Sequence, residues 1–155
     1  MWKSIFIVLI AWLAALEAAH GQAVSSADVN IVSVTGALDA RYFTCTAVIN
    51  NQNDDDSRLT RVIVLMPLQV RRVQGRVFGG PGSCTPAPII GTYQAYATCN
   101  LGSLPQGPTV RRTVIVRSLR STAGPNYPHT CSAFIYSAVG DIQKANNYMA
   151  ALPVN

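Results

Sequence analysis

The feature that most constrains this chain is a recurring pattern of short strand-like segments separated by turn residues. In Tyr42–Asn50 the side chains alternate, so that Phe43, Cys45, Ala47 and Ile49 share one face, and a period of two is typical of a β-strand with one buried side. No segment shows a sustained helical period with caps. About seven to eight strands at this spacing predict a β-sandwich or a barrel. The predicted strands are Val29–Val34, Tyr42–Asn50, Leu59–Met66, Val70–Phe78, Thr92–Asn100, Thr109–Leu119, Thr130–Val139 and Asn147–Val154.

The N-terminus has the layout of a secretory signal peptide. Lys3 precedes an apolar run from Ile5 to Leu16, and small residues follow as far as Ala23, as in signals that are removed after export. The apolar run is short for a bilayer span of about 20 residues. We therefore expect residues 1–23 to be cleaved and residues 24–155 to form one exported domain without a membrane span.

Four cysteines add a second constraint, because an even number in an exported chain indicates two disulfides. Cys45 and Cys131 lie on the core-facing sides of the second and the penultimate predicted strands, which face each other in an immunoglobulin-like sandwich. Cys84 and Cys99 flank a single hairpin-like excursion, and Cys84 itself lies in a predicted loop, Gly79–Pro88. Of the three possible pairings we favour Cys45–Cys131 and Cys84–Cys99. The predicted fold class is an all-β, immunoglobulin-like antiparallel β-sandwich.

The composition of residues 24–155 leaves little material for catalysis. This segment contains no tryptophan, no glutamate, one lysine and one histidine. A Ser-His-Asp triad would have to use His129, a loop residue close to a predicted disulfide, and paired cysteines leave no free thiolate. Zinc is disfavoured because no cysteine pair has CxxC spacing, and no spacing of aspartates selects a glycosidase pair. We expect no enzyme activity, no cofactor and no metal.

An acidic loop raises a separate question about calcium. Asp54, Asp55 and Asp56 follow an asparagine-rich turn, and carboxylate and amide oxygens are the ligands that calcium favours. The glycine and the distal glutamate of an EF-hand are missing, so a solvated loop is the favoured interpretation and calcium binding stays open.

Arginine is the dominant charged residue of the exported segment. The full chain carries a net charge of +5, and removing Lys3 together with Glu17 leaves this charge unchanged. Guanidinium groups pair with phosphates and carboxylates, so two arginine-bearing strands that share a face would form a contact surface for an acidic glycan, a lipopolysaccharide phosphate or extracellular nucleic acid. Edge protection by charge, together with general solubility, is the favoured interpretation of these arginines. Nucleic acid is disfavoured because no recognised module is present. The candidate ligand residues are Arg71, Arg72, Arg76, Arg111, Arg112 and Arg117.

Two tyrosines of the predicted strand Thr92–Asn100 offer another contact surface. Tyr93 and Tyr96 lie close together in sequence, and exposed tyrosines stack on sugars or fill protein interfaces.

The sequence also resembles the DUF11 repeat family of bacterial surface proteins. Cys99–Gly107 matches the family's C-x-L-G-x-L-x-x-G segment, and the Thr/Val-rich strand Thr109–Val116 follows it. Asn50–Asn51 and Gly140–Asn147 match its asparagine-rich turn and its closing turn, so that the resemblance covers about residues 28–155. It implies an immunoglobulin-like sandwich of cell-surface or extracellular proteins, and no catalytic residues. The chain differs in having one copy rather than an array, and an acidic loop where an Asn-Gly turn is expected.

From these observations we expect a secreted, non-enzymatic structural or adhesive module that acts by protein–protein contact at a sheet edge or loop end. Its partner would be a second copy or another envelope component, in the periplasm, at the cell surface or outside the cell. The alternative is a binding module for an acidic glycan or an envelope phosphate that uses the arginine strands.

Overall fold

The computed structural model of the chain describes residues 27–52, 56–67, 70–87, 94–119, 129–138, 141 and 143–154. The predicted signal peptide, residues 1–23, lies outside these ranges. Nine strands are formed within them, together with one turn of 3₁₀ helix, Lys144–Asn146. The strands are β1 (Val29–Leu38), β2 (Tyr42–Asn51), β3 (Ser57–Leu65), β4 (Arg71–Phe78), β5 (Ser83–Pro86), β6 (Tyr96–Leu104), β7 (Gly107–Leu119), β8 (Ser132–Tyr136) and β9 (Tyr148–Ala150).

The strands form two antiparallel sheets that enclose one core. The first sheet has the order β1-β2-β7-β4, and the second sheet has the order β5-β6-β3-β8-β9. Every neighbouring pair runs antiparallel. The predicted all-β sandwich is therefore confirmed. In the described part of the chain, no helix is both long enough and apolar enough to cross a membrane.

The core is built from the apolar faces of alternating strands. The apolar face predicted for β2 is fully buried, and its two large side chains, Phe43 and Ile49, each stabilise the fold by about 1.5–3 kcal/mol relative to exposure. The second sheet contributes the inner faces of β3, β6 and β8, and β7 completes the first sheet's inner face. These residues include Val62, Val64, Ala97, Cys99, Leu101, Val114, Val116, Ala133 and Ile135.

Two disulfides link the strands in the pairing that the sequence favours. Cys45 in β2 bonds to Cys131, the residue before β8, and so joins the two sheets across the core. Cys84 in β5 bonds to Cys99 in β6, its register partner. This second bridge holds β5 beside β6, which is why the proline- and glycine-rich segment predicted to be a loop contains a strand. Two disulfides indicate an oxidising, extracytoplasmic environment.

Candidate binding surfaces

The residues considered for catalysis lie in structural contacts. His129 exchanges two backbone hydrogen bonds with Val154, at 3.0 and 2.9 Å, and its ring centroid lies 5.9 Å from that of Phe43. All four cysteines are in disulfides. These contacts place His129 beside Val154 and against the buried ring of Phe43.

Of the acidic loop considered for calcium, only the last residue is described. Asp56 accepts a hydrogen bond from the Gln106 backbone N–H at 2.9 Å, whereas Asp54 and Asp55 lie outside the described residues. Within the described ranges, no three His, Cys, Asp or Glu side chains cluster as metal ligands would.

Three of the predicted ligand residues share the outer surface of the first sheet, which we call the arginine face: Arg76, Arg111 and Arg117. In β7 the side chains of Val114 and Val116 are buried, so residues of the opposite parity point away from the core. Arg117 lies opposite Gln74 of β4, and Arg76 lies opposite Ile115 of β7. Arg76 and Arg117 are therefore diagonal neighbours across two strands, within reach of one small ligand.

A cavity of about 300 Å³ opens between these two arginines. Its wall combines two guanidinium groups and one amide with an exposed aromatic ring and an aliphatic side chain. Phe78 is 46% exposed. The lining residues are Gln74, Arg76, Phe78, Ile115 and Arg117.

Arg117 is held in place by two neighbours. Its guanidinium carbon lies 3.7 Å from the centroid of the Tyr42 ring, and one of its nitrogens lies 3.2 Å from Oδ2 of Asp39. The other carboxylate oxygen of Asp39 accepts the backbone N–H groups of Arg41, at 2.9 Å, and of Tyr42, at 2.7 Å. These backbone hydrogen bonds, and then Arg117, lower the pKa of Asp39 below its usual value because they favour the ionised form.

The other three predicted arginines are placed differently. Arg71 is exposed opposite Leu119, and Arg72 is exposed in the irregular stretch that follows, with a φ of 51°. Arg112, by contrast, lies on the core side of β7 and is only 7% exposed. It donates a hydrogen bond to the carbonyl of Gly79. Its predicted place on an arginine face is corrected accordingly: Arg112 fastens the turn after β4.

The outer surface of the second sheet carries an aromatic cluster, which we call the aromatic face. Tyr96, Phe134, Tyr136 and Tyr148 are exposed by 40, 39, 43 and 52%. The rings of Phe134 and Tyr148, which are cross-strand partners, lie 4.6 Å apart. Leu65 lies opposite Tyr96. A band of aromatic and aliphatic side chains, interrupted by Ser132 opposite Leu65, thus runs across β6, β3, β8 and β9.

Tyr96 is the one member of this cluster that was predicted as a contact residue, and Tyr93, its proposed companion, lies outside the described residues. The alternation of the sequence does indicate that Phe134 and Tyr136 are exposed. In β8 the residues Ala133 and Ile135 are buried, and the same alternation places Phe134 and Tyr136 on the outer surface.

A second cluster, of buried or half-buried polar side chains, closes one end of the sandwich. Asn51 accepts the backbone N–H of Asp28 at 3.2 Å, and Asp28 in turn accepts the side-chain amide of Asn146 at 2.8 Å. Asn147 donates to Asp141 at 2.9 Å. These hydrogen bonds tie β1 and β2 to the turn before β9, so the cluster is a structural element of the fold.

Comparison with known proteins assigns the chain to no family. No family model and no curated protein matches the chain. Among solved structures, it is similar to AvmM, which catalyzes macrocyclization in alchivemycin A biosynthesis. The TM-score is 0.49 at 13% identity, over 81% of this chain and 89% of that chain. A similarity of this degree carries no functional inference.

Proposed function

We propose that this chain is an exported, non-enzymatic structural or adhesive module that acts by protein–protein contact through its aromatic face. The observation that carries the proposal is the exposure of four aromatic side chains on one sheet surface. This replaces the sheet edge or loop end that the sequence suggested. The predicted signal peptide and the DUF11-like relationship belong to the same proposal, because both fit a role at or outside the cell surface.

The composition of the aromatic face is that of a protein interface. Tyrosine, phenylalanine and arginine are enriched in interface centres, where rigid aromatic rings fill pockets on the partner. Arg61 lies opposite Tyr136 and adds a charged group at the margin of the aromatic band. Ile63 lies opposite Phe134 and supplies aliphatic surface at its centre. Contiguous apolar patches are limited on soluble monomers, and large ones mark contact sites.

Site-specific photo-crosslinking tests this proposal. A photoreactive phenylalanine analogue replaces Tyr148 in one version of the exported protein and Phe78 in another. The two positions have similar exposure, 52 and 46%, but lie on opposite sheets. We expect adducts of higher mass only from position 148, either with a second copy or with another envelope protein.

Loss of the contact is then measured with the double variant Phe134→Ser and Tyr148→Ser, against Phe78→Ser as the matched control. The double variant should lose the partner seen by crosslinking and by size-exclusion chromatography, whereas the control keeps it. A chain that remains monomeric, and that gives no adduct from position 148 in intact cells, contradicts the proposal.

A further inference from the structure

We propose that the cavity on the arginine face binds a uronic acid residue of an acidic polysaccharide. Arg76 and Arg117 would hold the sugar carboxylate, and Phe78 would pack against the C–H face of the sugar ring. This site is on the sheet opposite the aromatic face and does not depend on the protein contact proposed there.

The two arginines supply complementary parts of an anion site. Arg76 is exposed and makes no hydrogen bond or ion pair with any described residue, so its planar guanidinium group is available to a ligand. Arg117 is oriented by the Tyr42 ring and by Asp39, so less side-chain freedom is lost when it binds. Guanidinium groups recognise carboxylates by two parallel hydrogen bonds, which gives both energy and orientation.

The remaining walls favour a sugar over a bare anion. An inorganic phosphate would use the guanidinium groups but leave the ring of Phe78 and the side chain of Ile115 uncovered. A uronic acid carries its carboxylate on a ring whose C–H groups pack on an aromatic face, and its hydroxyl groups reach the amide of Gln74. Ligand sites in general combine such an apolar wall with a few polar groups that fix orientation. A cavity of about 300 Å³ is at the small end of such sites.

The arrangement along β7 favours an oligosaccharide. Arg111 and Arg117 lie on the same face of β7, six residues apart in sequence, which is about 20 Å along a strand. Arg111 is exposed beyond the cavity and lies opposite Asn50 of β2. A polyuronate that occupies the cavity with one sugar can therefore bring the carboxylate of a sugar several units further along the polymer near Arg111.

Isothermal titration at low ionic strength provides the test, with a tetramer of galacturonic acid as the probe. Its fully methyl-esterified form has the same sugar backbone without the charge, and inorganic phosphate has the charge without the ring. We expect the acid tetramer to bind, the methyl ester to bind at least tenfold more weakly, and phosphate not to compete at equal concentration.

Three variants assign the binding to this cavity. Arg76→Gln should weaken binding at least tenfold. Arg76→Lys should also weaken it, because the charge remains but the two parallel hydrogen bonds of a guanidinium group are lost. Phe78→Ala should weaken binding of the tetramer severalfold. Arg61→Gln removes the same charge from the opposite sheet and should change the affinity less than twofold. All four changes are at exposed positions, so thermal unfolding should be nearly unchanged.

Several results would overturn the proposal. Absence of tetramer binding, equal binding of the methyl ester, or equal losses from Arg76→Gln and Arg61→Gln each refute a specific carboxylate site. Effective competition by phosphate, or full affinity in Phe78→Ala, refutes recognition of the sugar ring. None of these results bears on crosslinking from position 148, so the proposed protein contact and the proposed sugar site are tested independently.

Discussion

Replacement of Gly75 by alanine tests how closely the two sheets pack. A Cβ atom at Gly75 in β4 would lie 2.6 Å from the Cβ and 2.9 Å from the Sγ of Cys84, in β5 of the other sheet. Carbon atoms in contact are ordinarily about 3.5–4.0 Å apart, so one strand must move. Overpacking costs about 1–3 kcal/mol, and removing a glycine from the unfolded chain stabilises by about 0.4–1 kcal/mol. Both contacts would be shorter than 3 Å, so the overpacking cost lies in the upper half of its range and the net loss is roughly 1–2.6 kcal/mol. The Tm should fall by about 4–9 °C for a domain of this size.

Gly36→Ala is the matched control for this prediction, because it adds the same methyl group to a strand of the first sheet. There the new Cβ would lie 3.0 Å from the Cζ atom of Phe43, at the edge of a ring that can shift by a few tenths of an ångström. We expect a change in Tm within about 2 °C. Calorimetry of the oxidised proteins measures both variants. If the Tm of Gly75→Ala equals that of the wild type or that of Gly36→Ala, the close packing of β4 on the β5–β6 bridge is refuted.

Three further changes test the disulfides, the β1–β2 turn and the polar end of the sandwich. The double variant Cys45→Ala and Cys131→Ala removes a bridge that closes a loop of 86 residues, whereas the β5–β6 bridge closes one of 15. Chain entropy therefore predicts that the free energy of unfolding falls by about 4.6 kcal/mol without the first bridge and by about 3 kcal/mol without the second. Equal urea midpoints would contradict this order. Asp39→Asn should remove a stabilisation that is present above the ordinary aspartate pKa of 3.8 and is lost as the pH falls through the lowered pKa of the folded state. The wild type and this variant should therefore converge in denaturant midpoint at strongly acidic pH, and a constant difference down to that pH would show that ionisation of Asp39 is not the cause. Asn51→Ala should cost about 2–3 kcal/mol in urea denaturation because it leaves buried backbone groups unpaired, and a loss below about 1 kcal/mol would mean that water replaces the amide.

The strands and the disulfides were predictable because they depend on local patterns. The alternation around Cys45 fixes which side of β2 is buried, and a cysteine on the inner side of β2 needs a partner on the facing sheet. The same reasoning could have been applied to β7. Arg112 has the parity of Val114 and Val116, so its inward direction is readable from the sequence, although its acceptor, the carbonyl of Gly79, depends on a turn 33 residues away.

Other features depend on contacts between distant segments. Ser83–Pro86 has the composition of a loop, and becomes a strand because β6 and a disulfide hold it. Asp28 and Asn146 are 118 residues apart, and no local pattern indicates that they meet. The cavity likewise requires the register of β4 against β7, which an irregularity between Arg71 and Gln74 shifts. Local period specifies which face a side chain occupies, whereas register specifies its neighbours.

The same period explains why one small domain can present two unrelated surfaces. Along β7 the buried Val116 alternates with the exposed Arg117, and along β8 the buried Ile135 alternates with the exposed Tyr136. The inner residues and the Cys45–Cys131 bridge hold the two sheets together, while every second position faces away from the core. Polar and aromatic changes on either outer surface therefore leave the core intact. Residues 24–155, with few acidic groups and one lysine, can in this way present the proposed polysaccharide-binding arginine face on one sheet and the proposed protein-binding aromatic face on the other. The two contacts would then join a polysaccharide to a protein through a rigid sandwich.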